Sequence, residues 1–271
     1  MIPAAALSRP VRLLGRGRAR AGTRDLPEEA GVAITCNAQT QAVMMATPAD
    51  LEDFAVGFAL SEGIAALAEI DEVEIAPRDQ GIEARLWLAP GAAARLGERR
   101  RATAGPVGCG LCGIESLEAA LRPLPRVPDA PAMSPDDLGA ALAALGTHQP
   151  LHDRTHAIHG AGLFRPGEGL IAAREDIGRH NALDKLIGAL ARAGGDATGG
   201  IVALTSRVSV EMVQKAAMAG APVILAVSAP TAHAVRLAEG AGIAIVRETA
   251  AGWEIHSHPE RIEEGQRTDV A

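Results

Sequence analysis

Residues 200–228, GIVALTSRVSVEMVQKAAMAGAPVILAVS, decide the fold. An unbroken apolar run, GIVALTS, gives way to a segment with helical spacing of Val208, Met212 and Val213, and then to a second apolar run, PVILAVS. Short apolar runs bounded by turn residues are fully buried strands, and the stretch between them is long enough for a helix that returns over the sheet. The pattern continues outward. After it come a helical PTAHAVRLAEGAG and strand-like IAIVRE and WEIHSH; before it come GAGLF, LIAARED and the helical HNALDKLIGALARAG. Alternation at these lengths predicts a layered α/β domain with a largely parallel sheet.

Further upstream the pattern changes. VAITCNAQTQAVMM (32–45) reads as a hairpin turning near Asn37, and residues 70–76 and 82–88 alternate as strands. In TPADLEDFAVGFALSEGI, Thr47 reads as a helix N-cap with Pro48 in the first turn and Gly63 at the end. Ser228 reads as the cap of the helix that follows Pro230. Five prolines in residues 122–135 mark a linker. The expected class is α/β: a smaller N-terminal α+β domain over 28–122, a linker over 123–135 and an α/β domain over 136–262. Residues 1–27 are expected to be a disordered tail, with six Arg and no acid in the first 24, and 263–271 a second tail.

The chain has 271 residues, 48% of them hydrophobic and 22% charged, enough to bury a core without staples. Three cysteines make no disulfide framework; a close pair plus one fits a reducing compartment, so a cytoplasmic location is expected. No apolar run is long enough to span a bilayer, and no membrane partner is expected. A net charge of −7 disfavours general affinity for nucleic acid, so any anion must be held by local devices. Of 26 basic residues only Lys185 and Lys215 are lysine, which makes each a candidate for a specific role.

Three stretches carry candidate chemistry. GPVGCGLCGIESLEAAL (105–121) sets Cys109 and Cys112 among four glycines ahead of a helix, whose N-terminus lowers a thiol pKa. A thioredoxin-like pair wants a strand running directly into the motif, and a zinc nucleoside deaminase places a histidine ahead of it; neither condition is met. A zinc site would draw on His148, His152, His156 and His159. In REDIGRHNALDKLIG (174–188), Asp176, Arg179, His180, Asn181 and Lys185 crowd a strand-to-helix junction; capping explains one or two of them, not all. Ser206 and Arg207 end the strand before the helix bearing Lys215, an arrangement that cradles anions.

These stretches, with NAQTQAVMMATPADLEDFAVGFALSEGI, THAIHGAGLF, SRVSVEMVQKAAMAGAPVILAVSAPT and HPERI in order, resemble the formate dehydrogenase accessory sulfurtransferase family, FdhD. The resemblance implies a sulfurtransferase that takes sulfur from a cysteine desulfurase as a cysteine persulfide. It would deliver that sulfur to the molybdenum of bis(molybdopterin guanine dinucleotide), which formate dehydrogenase needs. The persulfide position falls on Cys109, with Cys112 as a second relay thiol. Guanine nucleotides would mimic the cofactor arms, and Thr155, His159, Asp176, Arg179, His180, Asn181, Lys185, Ser206, Arg207 and Lys215 would face the cofactor. So would the segment Glu248, Thr249, Ala250, Ala251, Gly252 and Trp253, although here it carries an acid and alanines in place of the usual basic residue. Gly160 stands where alanine is usual. The resemblance also implies a homodimer and a cytidine deaminase-like larger domain. The competing reading is a non-catalytic chaperone of the molybdenum cofactor, with the cysteine pair holding zinc.

Overall fold

Six strands form the main sheet of the C-terminal lobe in a computed structural model that describes residues 1–15, 18–103 and 123–264. In chain order the strands are β1 (Ala6–Gly15), β2 (Arg18–Pro27), β3 (Ala30–Cys36), β4 (Gln39–Ala46), β5 (Ile70–Arg78), β6 (Gly81–Leu88), β7 (His159–Arg165), β8 (Gly169–Asp176), β9 (Ile201–Leu204), β10 (Val223–Ala226), β11 (Ala244–Thr249) and β12 (Gly252–Ile255). The helices are α1 (Leu51–Ser61), α2 (Pro90–Thr103), α3 (Pro135–Gly146), α4 (Pro150–Thr155), α5 (Arg179–Arg192), α6 (Val210–Met218) and α7 (Ala232–Ala241).

The main sheet has the order β12-β11-β10-β9-β7-β8. Along β9 and β10 the side chains alternate between two cores: Val202, Leu204 and Ile224 pack under α5, α6 and α7, while Ile201, Ala203, Val223 and Leu225 pack against α3. Burial on both faces is why these strands read as continuous apolar runs. The sheet is mixed, not largely parallel. Only β9–β10 and β10–β11 are parallel, because β7–β8 and β11–β12 are joined by turns too short for a crossover.

The N-terminal lobe is a four-stranded sheet, β4-β3-β6-β5, with one face covered by α1. The two lobes meet where α1 crosses α5. A Cβ on Gly57 would lie 1.7 Å from the Asp184 carbonyl oxygen, and one on Gly188 would lie 1.9 Å from that of Asp53. Two glycines thus let the helix backbones touch.

Four further expectations are corrected. The expected disordered tail is instead a pair of strands: β1 and β2 pair antiparallel from Ala6↔Pro27 to Gly15↔Arg18, their base held by Asp25, which accepts from Ser8 and Arg154. Thr47 does not cap α1; Asp50 holds that position in the left-handed region, and Thr47 is buried between the lobes. Thr231, not Ser228, caps α7, accepting from Ala234 N–H. The Pro-rich stretch is packed rather than free, with Val127 and Met133 buried and Val127 N–H donating to Ala241.

Candidate functional site

Parallel strands present their C-terminal ends to one edge of a sheet, and ligands bind there because helix N-termini gather at the same edge. In this chain that edge collects the ends of β9, β10 and β11, the start of β7 and the end of β8, since His159 pairs with Asp176 and Leu204 is in register with Ala226 and Arg247. The N-termini of α5, α6 and α7 open on it. Glycine 160 N–H donates to Thr205 Oγ1 at 2.8 Å, tying the β7 start to the β9 end.

Along this edge His159, Arg179 and His180 are half-buried and Arg207 is exposed. Arg179 Nε and His180 Nε2 are shielded from water and make no hydrogen bond among the described residues. His180 Nε2 lies 3.8 Å from Glu211 Oε2, too far for a hydrogen bond. Burial, and then the neighbouring Arg179, push the His180 pKa down to about 4, so the ring is neutral at physiological pH. Burial and Arg179 lower His159 as well. Burial works against the Glu211 carboxylate, but the Ser209 hydroxyl at 2.7 Å, its own N–H, His180 and Arg179 outweigh it and hold its pKa below the usual value. The result is a cationic edge with uncommitted donors and one ionised carboxylate. Sequence reasoning passed over Glu211; an acid two residues after the Ser209 cap was the available signal.

Other expected site residues are placed elsewhere. Lys185 is fully buried, its ammonium 2.6 Å from Asp176 Oδ2 and 2.9 Å from the Thr47 carbonyl. Asp176 also accepts from Thr47 N–H, Gly178 N–H and Asn181 Nδ2, and Asn181 donates to the Met45 carbonyl. Lys215 is enclosed by Asp184, Glu62 and Ser61 at 2.9 to 3.0 Å. Burial disfavours its charge, yet Asp184 and Glu62 together hold its pKa above the ordinary value. These contacts stitch the N-terminal lobe to α5 and α6 beneath the edge, so the lysines are not presented to an open surface.

Thr155 donates to the Leu151 carbonyl and is committed to α4. Buried Ser206 donates to the Arg207 carbonyl. Glu248, Thr249, Ala250, Ala251, Gly252 and Trp253 form the β11–β12 turn at the same edge, with Thr249 donating to the Gly252 carbonyl and Trp253 resting on the α3-side core. Cys109 and Cys112 lie outside the described residues. Cys36 is buried, which pushes its thiol up to about 11 and leaves it inert. Of His148, His152, His156 and His159, His152 and His156 meet edge to face with ring centroids 5.7 Å apart, but among the described residues no three His, Cys, Asp or Glu side chains gather as metal ligands. No described helix is long and apolar enough to cross a membrane.

The model of the FdhD/NarQ family matches residues 27–263. A sulfur carrier protein FdhD of Agrobacterium fabrum is 50% identical over 252 residues, covering 92% of this chain and 93% of that protein. One from Brucella abortus is 57% identical over 245 residues, covering 89% and 90%. The crystal structure of a putative formate dehydrogenase accessory protein from Desulfotalea psychrophila superposes with a TM-score of 0.76 at 24% identity, over 96% of this chain and 100% of that one, and shares the fold. A match that spans both lobes and the whole sheet edge makes this chain a member of the FdhD/NarQ family.

Proposed function

We propose that the chain is a sulfur carrier that loads Cys109 as a persulfide and hands the outer sulfur to a molybdenum centre held on nucleotide arms, in the service of formate dehydrogenase. The observation that carries the site assignment is the sheet edge itself, where three helix N-termini meet Arg207 and Arg179, whose buried Nε has no partner among the described residues. A dianionic pyrophosphate matches that lining, because backbone N–H groups, guanidinium and dipole all favour negative charge. The substrate, bis(molybdopterin guanine dinucleotide), carries two such pyrophosphates.

In the loading step, the Cys109 thiolate attacks the outer sulfur of a cysteine desulfurase persulfide, and the desulfurase thiolate leaves. When an acceptor nucleophile, or the Cys112 thiolate acting as a second relay thiol, attacks that outer sulfur, the S–S bond breaks and Cys109 leaves as the thiolate. Relatives named sulfur carrier protein support the reading. The test is mass spectrometry of the full chain after incubation with a cysteine desulfurase and cysteine. One added sulfur on the peptide containing Cys109, absent in Cys109→Ala, is expected; loading of Cys36 alone would refute the assignment.

A further inference from the structure

The ribbon β1–β2 takes no part in that function and lies almost wholly outside the family match, which begins at residue 27. Its root is fixed to the body by the face carrying Ala6, Ser8 and Asp25: Ala6 is buried, and Asp25 accepts from Ser8 and from Arg154 on α4. Beyond that root, no hydrogen bond or ion pair ties residues 9–15 and 18–24 to the rest of the chain among the described residues. Alternation along the strands places Arg9, Val11, Leu13, Arg18, Arg20 and Arg24 together on the opposite face, with Arg9 directly across from Arg24. Like charges facing each other across a ladder repel, so this face calls for anions. Arg12 and Leu14 stand on the root's own face but further out, and Leu14 is 80% exposed.

The chemistry of the ribbon selects among anionic surfaces. Residues 1–24 hold six Arg, no acid and no aromatic ring, so they attract phosphate but offer nothing on which nucleic-acid bases could stack. Pro10 has no N–H to give, which interrupts the free edge of β1 against strand addition by a peptide. Leu13 and Leu14 are consecutive, so one apolar side chain projects from each face near the turn. A folded partner meets one face; a bilayer interface closes round both, with arginine stems in the apolar layer and guanidinium groups on lipid phosphate. The rest of the chain holds 20 basic against 33 acidic residues, a net charge of −13, and a negative membrane repels it. Length removes the conflict: a ten-residue strand spans roughly 33 Å, about four times the roughly 8 Å over which charge reaches in physiological salt.

We propose that the ribbon is a peripheral membrane contact: its end dips Leu13 and Leu14 into the interface of an anionic bilayer, Arg12, Arg18 and Arg20 hold lipid phosphate around them, and the anionic headgroups relieve the facing Arg9 and Arg24. The contact joins charge to a small apolar insertion, two signals of which neither alone holds a protein at a membrane. It stays at the surface, for no described helix is long and apolar enough to cross.

The test is flotation of the full chain with vesicles of phosphatidylcholine alone, or of phosphatidylcholine and phosphatidylglycerol in equal parts, across a salt series. Binding is expected only to the anionic vesicles, weakening as salt rises. Arg18→Gln with Arg20→Gln should lower the partition coefficient about 30-fold, at about fivefold per arginine, while Arg18→Lys with Arg20→Lys holds it within about twofold. Leu14→Ser should lower it about tenfold with the ribbon intact, since Leu14 is exposed whereas Leu13 lies over Gly22. In Leu14→Trp, emission should shift to the blue on anionic vesicles and be quenched by brominated lipid, which reports entry into the interface. Equal binding to both kinds of vesicle, no binding to either, indifference to the arginine pair, or unquenched emission from bound chain would overturn the proposal. Retention of the chain by duplex DNA or by an acidic protein, with anionic vesicles left unbound, would overturn it too. None of these readouts involves sulfur transfer, so a failure here is distinct from a failure of the proposed function.

Discussion

In the seam between the lobes, the Lys185 and Lys215 ammonium groups are each enclosed by carboxylate, carbonyl or hydroxyl oxygen within 3.0 Å. At the sheet edge a few residues away, Arg179 Nε and His180 Nε2 are equally hidden from water but paired with nothing among the described residues. Both regions draw their charge from α5 and α6, the edge from the helix starts and the seam from Lys185 in mid-helix and Lys215 in the last turn. A buried charge that is fully paired specifies one arrangement of the chain, whereas a polar atom left unpaired costs stability unless something outside the protein completes it. The seam is therefore the structural use of these charges, and the edge the one on which the proposed function rests.

The comparison breaks most visibly at the seam. Lys185→Met leaves Asp176 charged and buried, so a loss of about 3–5 kcal/mol is expected in urea unfolding. Lys215→Met should behave alike, and adding Asp184→Leu should restore much of that loss, since the uncompensated carboxylate leaves with it. Gly57→Ala drives a methyl into the Asp184 carbonyl and forces α1 off α5, at a cost of about 1–3 kcal/mol measured the same way.

At the edge the same kind of deletion should act on binding instead. Arg179→Ala is expected to weaken GDP about tenfold in calorimetry and flatten the salt dependence, with the melting temperature little changed. A variant that unfolds without losing affinity would place Arg179 in the seam class.

His180 sharpens the contrast through pH. Its folded pKa, about 4, is below its ordinary 6.5, so between those values the unfolded chain binds more protons. Its contribution is fully present above pH 6.5 and is lost as pH falls toward 4. His180→Asn should therefore flatten the fall in urea midpoint between about pH 7 and pH 4.5. The smallest effect is expected at the base of the β1–β2 pair, where Arg154→Ala removes a solvent-exposed pair with Asp25 and should leave the urea midpoint almost unmoved.

Much of this was legible in the residues, and the failures are instructive. Periodicity located β9, α6, β10 and α5 because each is one local pattern whose burial follows from its own spacing. Thr47 shows the limit. TPAD has every local mark of a cap, but the Thr47 N–H and hydroxyl are taken by Asp176 and Ile177, about 130 residues away. The scarcity of lysine rightly singled out Lys185 and Lys215, yet composition says nothing of partners, and those partners come from Thr47, Ser61 and Glu62 in the other lobe. Arg179 and His180 were read correctly as a junction cluster. That they are left without protein partners is visible only once α5 and α6 stand side by side.

The sequence by itself determined the strand–helix alternation, the two lobes, the cysteine pair and the family resemblance, because each is written in residue type and local spacing. Tertiary structure alone decided that the sheet is mixed, that the basic N-terminus pairs as a ribbon, and which charges are spent inside and which remain at the edge. The physical reason is distance along the chain. Enclosing these buried charges also takes groups from Thr47 and Ser61, brought in across 100 residues or more, and no local pattern encodes which of them will meet.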